Sequence, residues 1–363
     1  MATINPSNQT ITQYNLQTGD ANNLLNNVAP SATSGVPVIS QGAASQPVFG
    51  TAEVVGGGTG RTSLTNHGVL VGAATSAITQ LAAGSAGQVL QSGGASADPA
   101  YSTATYPATT TANQLLYSSA TNTVSGLTGG NSLVAATNSS GTLAMRSFSI
   151  NIQTFTSSGT YTPTAGMLYC IIEAVGGGGG GGGAAATGAN NAVGGGGGAG
   201  GYARLKASAA TIGASQTVTI NTGGAGGTAG ANNGSNGGSV TFGALITCNG
   251  GTGGTGGAAG NPSYVAGGAG GTATGGDVNI AGGRGSYGFG VGTSNVNSLG
   301  GLGGNSMLGF ASTAGGSATS GTGVSAGNYG AGGSGGYSSV SSAAAAGGNG
   351  SNGIVIVTEY IIA

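Results

Sequence analysis

Sixty-four of the 84 glycines in this 363-residue chain lie in residues 176–363, about one position in three. So few side chains cannot build an ordinary hydrophobic core, and ordering a glycine costs roughly 0.5–1 kcal/mol more than ordering an alanine. Such a region is either a disordered tether or a structure held by backbone meeting backbone. Collagen is excluded, because it needs a strict Gly-X-Y frame and abundant proline, whereas residues 176–363 hold only Pro262 and break frame repeatedly.

The glycines run as GGGGGGGG at 176–183, GGGGG at 194–198 and GGTGGTGG at 250–257, the last keeping glycine at two positions of three. An extended left-handed helix with three residues per turn has no internal hydrogen bonds. Its amides must therefore reach adjacent helices, at a net gain of about 0.5–1.5 kcal/mol per bond, with Cα–H···O contacts adding to it. At about 3.1 Å per residue, 176–183 would span roughly 25 Å. Two segments dense in Ile, Val and Tyr bracket the region, MLYCIIEAV at 167–175 and GIVIVTEYII at 353–362, and are expected to pair. Inner strands are expected at 202–206, 217–221 and 240–248. The alternate residues Leu168, Cys170, Ile172 and Ala174 are apolar or small, which points Cys170 into a core. A tether has no reason to start and finish on matched apolar strands, so a packed bundle is the expectation.

Residues 35–150 repeat in a different way. GVPVISQGAASQPVFGT at 35–51 returns as GQVLQSGGASADPAYST at 87–103, an offset of 52 residues. A related unit appears as GVLVGAATSAITQL from Gly68, NQLLYSSATNTVSGL from Asn113 and NSLVAATNSSGTLAM from Asn131. Each reads as a β-hairpin. Isolated hairpins are marginal in water, so stacking and winding around identical chains is expected, giving an elongated homotrimeric stalk. A flexible Ser/Thr/Ala linker would have no need of the repeated apolar triplets.

Charge narrows the functional classes. Five Lys or Arg, six Asp or Glu and one His leave a net charge of −1, which lacks the basic footprint of nucleic-acid binding. The acids, Asp20, Glu53, Asp98, Glu173, Asp277 and Glu359, are scattered rather than paired for acid–base work, so the chain is not expected to be an enzyme. Gly-x-Gly-x-x-Gly arises by chance at this glycine density, and no GK[ST] follows, so no nucleotide site is expected. His67, in the turn Asn66-His67-Gly68, has no companion ligand, and Cys170 and Cys248 fit no metal spacing. No metal or cofactor is expected. Arg204 and Lys206 lie on one strand face opposite no obvious acid, which reads as a solvated face. No apolar run is long enough for a membrane span, and residues 1–30 lack a secretory pattern, so the expectation is a cytoplasmic product with no membrane insertion.

GGGTGRTSLTNHGVLVGAATSAITQLAAGSAGQVLQSGGASADPAYS at 56–102 resembles repeats of phage tail-fibre proteins and related bacterial surface or prophage proteins. FTSSGTYTPTAGMLYCIIEAVGGGGGGGG at 155–183, GYARLKASAATIGASQTVTINTGGAGG at 201–227, GGSVTFGALITCNGGTGGTGG at 237–257 and GNGSNGIVIVTEY at 348–360 resemble the glycine-rich distal domain of such fibres. The resemblance implies a virion fibre, assembled in the host cytoplasm, whose polyglycine bundle meets a host surface protein or glycan through loops at its tips. The bulky residues of the glycine-rich half outside the expected strands are Pro262, Tyr264, Tyr287, Phe289, Met307, Leu308, Phe310, Tyr329 and Tyr337. They are the candidate receptor contacts as a set, because aromatics bring large contact area at low entropy cost; the competing reading has several of them folding back to cap the bundle. Residues 1–34 match no motif and are assigned by position to attachment to other tail proteins.

The expected fold is therefore mainly β with little or no α-helix. It comprises an attachment segment at 1–34, a repetitive hairpin stalk at 35–150, and a glycine-rich adhesin domain of packed polyglycine helices at 151–363. The alternative is a bacterial surface filament or adhesin subunit, extracellular and polymerising by strand exchange. An ice-binding reading lacks a regular Thr or Ala face.

Overall fold

The computed structural model describes residues 15–19, 25–54, 57–131, 133–137, 140–292, 298–311, 313, 316 and 319–362. Residues 1–14 and 20–24 of the N-terminal segment lie outside them. The fold is mainly β, with one short helix, Ala209–Ile212, among the described residues. The chain forms two compact units, Met1–Gly130 and Asn131–Ala363.

The first unit is a series of hairpins. Val38–Ile39 pairs with Val48–Phe49, and Val69–Val71 with Thr79–Leu81. Gln88–Gln91 pairs with Ala100–Thr105, and Gln114–Ala120 with Thr123–Thr128. The 52-residue repeat survives in three dimensions: Val38 faces Phe49 as Leu90 faces Tyr101, and Ile39 faces Val48 as Gln91 faces Ala100. The backbone repeats with it, since Gly35 and Gly87 have φ of 81° and 84°, and Gly42 and Gly94 have 89° and 87°. His67 (φ 60°) and Asn113 (φ 63°) hold the left-handed position of tight turns that lead into strands, a conformation His and Asn tolerate better than most residues. All four buried apolar clusters of the described residues lie in the second unit.

The second unit begins at Asn131, inside the stretch that the sequence assigns to hairpins. Its first hairpin, Leu133–Thr137 with Leu143–Phe155, shares its long strand with a sheet. That sheet runs in the order Leu133–Thr137, Leu143–Phe155, Ile354–Ile362, Met167–Val175, Tyr202–Ser208, Val278–Ile280, all antiparallel. The two bracketing segments therefore pair directly. A second sheet, Gly159–Tyr161, Gln216–Ile220, Val240–Phe242, Ile246–Cys248 and Ala273–Thr274, packs against it. Their shared core holds Tyr161, Cys170, Ile172, Val218, Phe242, Ile246, Val355 and Val357. Ser208 caps the helix, its side chain accepting the Thr211 N–H.

Three strand expectations are corrected. Residues 240–248 form two strands and a turn at Gly243 (φ 52°), because Val240–Phe242 folds back on Ile246–Cys248. Leu168 is half exposed rather than in the core, because a register shift between Met167 and Tyr169 gives its inward place to Met167. Arg204 does have an acid opposite it: Glu173 is its cross-strand partner, and Asp277 accepts the Lys206 backbone N–H at 2.8 Å.

The glycine-rich segments pack as a bundle. Along 176–184, the N–H groups of 176, 179 and 182 donate to carbonyls of 201, 198 and 195. Those of 177, 180 and 183 donate to 238, 235 and 232, and those of 178, 181 and 184 to 351, 348 and 345. Three antiparallel neighbours are thus reached in turn, one every third residue, which is the signature of a three-residue helix. The carbonyls serve three parallel neighbours the same way, accepting from 251, 254 and 257, from 224, 227 and 230, and from 333 and 336. These bonds span 2.8–3.1 Å. Residues 194–201 are likewise surrounded, and both segments are buried throughout. The two longest glycine runs are therefore enclosed helices, as is the shorter 330–336, and packing decides their composition. A Cβ on Gly180 would lie 2.0 Å from the Ala225 carbonyl oxygen, and one on Gly197 would lie 2.1 Å from that of Gly179.

Outer helices need glycine only where they face inward. In 249–257, Asn249, Thr252 and Thr255 are exposed while Gly251, Gly254 and Gly257 are buried. Outward amides have no further helix to reach, and side chains supply the acceptors instead. Asn349 and Asn352 Oδ1 accept from Gly226 and Gly223 N–H, both at 2.8 Å. Asn233 and Asn236 do the same for Gly256 and Gly253, at 2.8 and 2.9 Å.

Candidate functional site

The bundle has two chemically different ends. Residues 176–184 leave the strand Met167–Val175 and run away from the sheet, and 194–201 return into Tyr202–Ser208. The end away from the sheet is closed by loops and two small sheets. One is Ser263–Val265, Gly288–Gly290 and Ser298–Leu299, and the other is Ala192–Val193 with Tyr337–Ser338.

Side chains on the first small sheet form an apolar cluster. Tyr264 faces Phe289 in register and Phe289 faces Leu299. The Tyr264 and Phe289 rings meet edge to face with centroids 4.9 Å apart, a favoured aromatic geometry. Tyr264 is 65% exposed and Leu299 51%. Beneath lie Val193, Val265 and Tyr337, which pack together as a buried cluster. Tyr337 supports this end from inside rather than standing on its surface. Pro262, after a cis peptide bond, and Tyr287 are exposed beside the cluster.

Polar contacts tie the loops down. The fully buried Asn191 donates from Nδ2 to the Gly292 carbonyl at 2.9 Å, and its own carbonyl accepts the Gly260 N–H at 2.8 Å. Asn261 Oδ1 accepts the Gly292 N–H at 3.0 Å. Among the described residues this end carries no fixed charge, because 185–193, 258–266, 286–292, 298–300, 319–322 and 337–345 contain no Asp, Glu, Lys or Arg.

The remaining candidates sit at the opposite, sheet-proximal end, roughly 25 Å away by the rise of the intervening helices. Leu308 and Tyr329 pack against the buried Val175, Tyr202 and Ile354. Met307 and Phe310 stand out from the same loop, 59% and 77% exposed. The structure thus gathers Pro262, Tyr264, Tyr287 and Phe289 and separates them from Met307, Leu308, Phe310 and Tyr329. Sequence reasoning missed Leu299 and Leu302, both largely exposed. Their signal was present in LGGLGGN at 299–305, where Leu takes the outward third position between glycine pairs.

The titratable groups of the core serve the scaffold. Burial would raise the Glu359 carboxyl, but hydrogen bonds from Thr164 Oγ1, Thr164 N–H, the Tyr161 hydroxyl and Asn151 Nδ2 outweigh it and hold the group at about 2. Burial pushes the Cys248 thiol up to about 12 and raises that of Cys170, so neither is a nucleophile near neutral pH. Tyr202 donates its hydroxyl to Glu173 at 2.6 Å. Among the described residues, no three His, Cys, Asp or Glu side chains come together in a metal-binding group.

A family model described as a glycine-rich domain matches residues 153–360, more than half of the chain. The chain belongs to this glycine-rich domain family. The match starts within Leu143–Phe155 and stops within Ile354–Ile362, so the glycine-rich domain is the bundle together with the sheets that anchor it. The search of curated proteins gives no match.

Proposed function

We propose that this glycine-rich domain protein is a structural, non-catalytic fibre component of a phage virion. In this reading it attaches to a host cell through the loop end of its bundle, forms a trimer, and joins other tail proteins through residues 1–34. The observation that carries the reading is an uncharged apolar cluster, Tyr264, Phe289 and Leu299, held on a hydrogen-bonded bundle. Ordered aromatics lose little entropy on binding, and a tyrosine hydroxyl adds a polar contact. The fitting ligand is an uncharged patch of a host surface protein or a neutral glycan.

The filament alternative requires an apolar end strand to be donated to a neighbour. Ile354–Ile362 is paired on both edges within its own chain, which favours a closed domain.

Retention of the full chain on whole cells of candidate hosts tests the reading. The triple variant Tyr264→Ser, Phe289→Ser, Leu299→Ser is expected to lose retention at least tenfold. Wild-type binding is expected to change little between low and high salt, because the described residues of the loop end hold no fixed charge to be screened. Unchanged retention of the triple variant would refute the assignment of the loop end.

A further inference from the structure

In Ile354–Ile362, Val355, Val357, Glu359 and Ile361 point into the core, so Ile356, Thr358, Tyr360 and Ile362 point outward. By register, Phe148, Ile150 and Ile152 share that outer face, opposite Ile362, Tyr360 and Thr358. The solvent face of an antiparallel sheet is ordinarily polar. Here Phe148, Ile150 and Ile152 are 43%, 54% and 62% exposed, and the bulge residue Leu168 is 50% exposed. The Phe148 and Tyr360 rings lie 6.5 Å apart, Tyr360 stacks on Tyr169 at 4.6 Å, and Lys206 Nζ sits 4.5 Å over the Tyr169 ring. A pre-ordered aromatic row thus crosses several strands in the open. Contiguous apolar surface of this kind marks an interaction site.

We propose that this outer sheet face packs against the same face of other copies of this chain. The hairpins of the first unit are the first reason to choose a copy as the occupant. They expose Leu70, Val89, Leu90, Leu115 and Leu116 by 41–48% and enclose no apolar cluster among the described residues, so they too need neighbours of their own kind. Continuity is the second. The hairpin Leu133–Thr137 with Leu143–Phe155 shares its long strand with the apolar face, so association along this hairpin takes in that face. A flat β face, moreover, fits another β face.

The inference deepens the trimer of the proposed function, and its test is independent of host binding. Full-length wild type and the double variant Ile150→Glu, Ile152→Glu are compared by analytical ultracentrifugation, with circular dichroism as the folding control. Wild type is expected as a closed small oligomer at micromolar concentration, and the variant at least tenfold weaker in association. Ile152→Cys is expected to cross-link between copies with a short bismaleimide, since Cys170 and Cys248 are buried; this variant decides the matter if the glutamates unfold the chain. A monomeric wild type, or an unchanged oligomer with no cross-link through residue 152, would overturn the proposal. Loss of host binding by the loop-end variant with the oligomer intact would bear on the proposed function alone.

Discussion

Residues 176–184 and the hairpins of 35–130 are both poor in large side chains, yet they solve burial in opposite ways. The glycine helix is buried on all sides because its backbone groups are satisfied by six neighbours and nothing projects between them. The hairpins satisfy their backbones in pairs and leave apolar side chains such as Leu70 and Leu90 in the open. Removing side chains lets backbone serve as core within one chain. Keeping a few of them, without enough to enclose, leaves a surface that only other surfaces can cover.

The contrast breaks most sharply at Gly180. Gly180→Ala drives a methyl against the Ala225 carbonyl 2.0 Å away and is expected to cost at least about 3 kcal/mol, read as a lowered unfolding midpoint. An equal loss from Gly42→Ala in a hairpin turn would erase the distinction, because that site has no neighbour in the way and only its left-handed φ of 89° to strain.

Glu359 tests whether side chains matter to the anchoring sheets. Its carboxyl is held at about 2 against an ordinary 4.5, so it adds stability above pH 4.5 that is lost as pH falls toward 2, about 3 kcal/mol in all. Glu359→Gln is expected to flatten that acid limb of the stability profile and to lower stability at neutral pH. A profile identical to wild type would remove the carboxylate from the account.

Smaller effects sharpen the picture at the bundle surface. Asn349→Ala leaves the Gly226 amide without its acceptor and is expected to cost about 1 kcal/mol, with faster hydrogen exchange at Gly226 and little change at Gly180. Thr255→Ala, at an exposed outward position, is expected to stay within about 0.5 kcal/mol of wild type.

Much of this was legible beforehand. The pairing of the two apolar end strands, the hairpin repeat and the ordered bundle all follow from local pattern. The bulge that turns Leu168 outward and the turn at Gly243 were not, because a register shift and a left-handed residue are settled by partners remote in sequence. At the candidate site, bulky residues were easy to find against glycine, but their sorting to opposite ends was not. Tyr337 and Tyr264 look alike in sequence, yet one supports the loop end from inside and the other caps it.

The sequence by itself determined that backbone must replace side chains along the glycine runs, because a run such as 176–183 has no side chain to bury. It also determined the period, since glycine at two positions of three leaves one outward side in each turn. Only the tertiary structure decided which runs are enclosed, which amides meet which carbonyls, and which face of the anchoring sheet is left apolar and uncovered. Those outcomes depend on contacts between segments tens to hundreds of residues apart, and each local pattern is compatible with many such pairings.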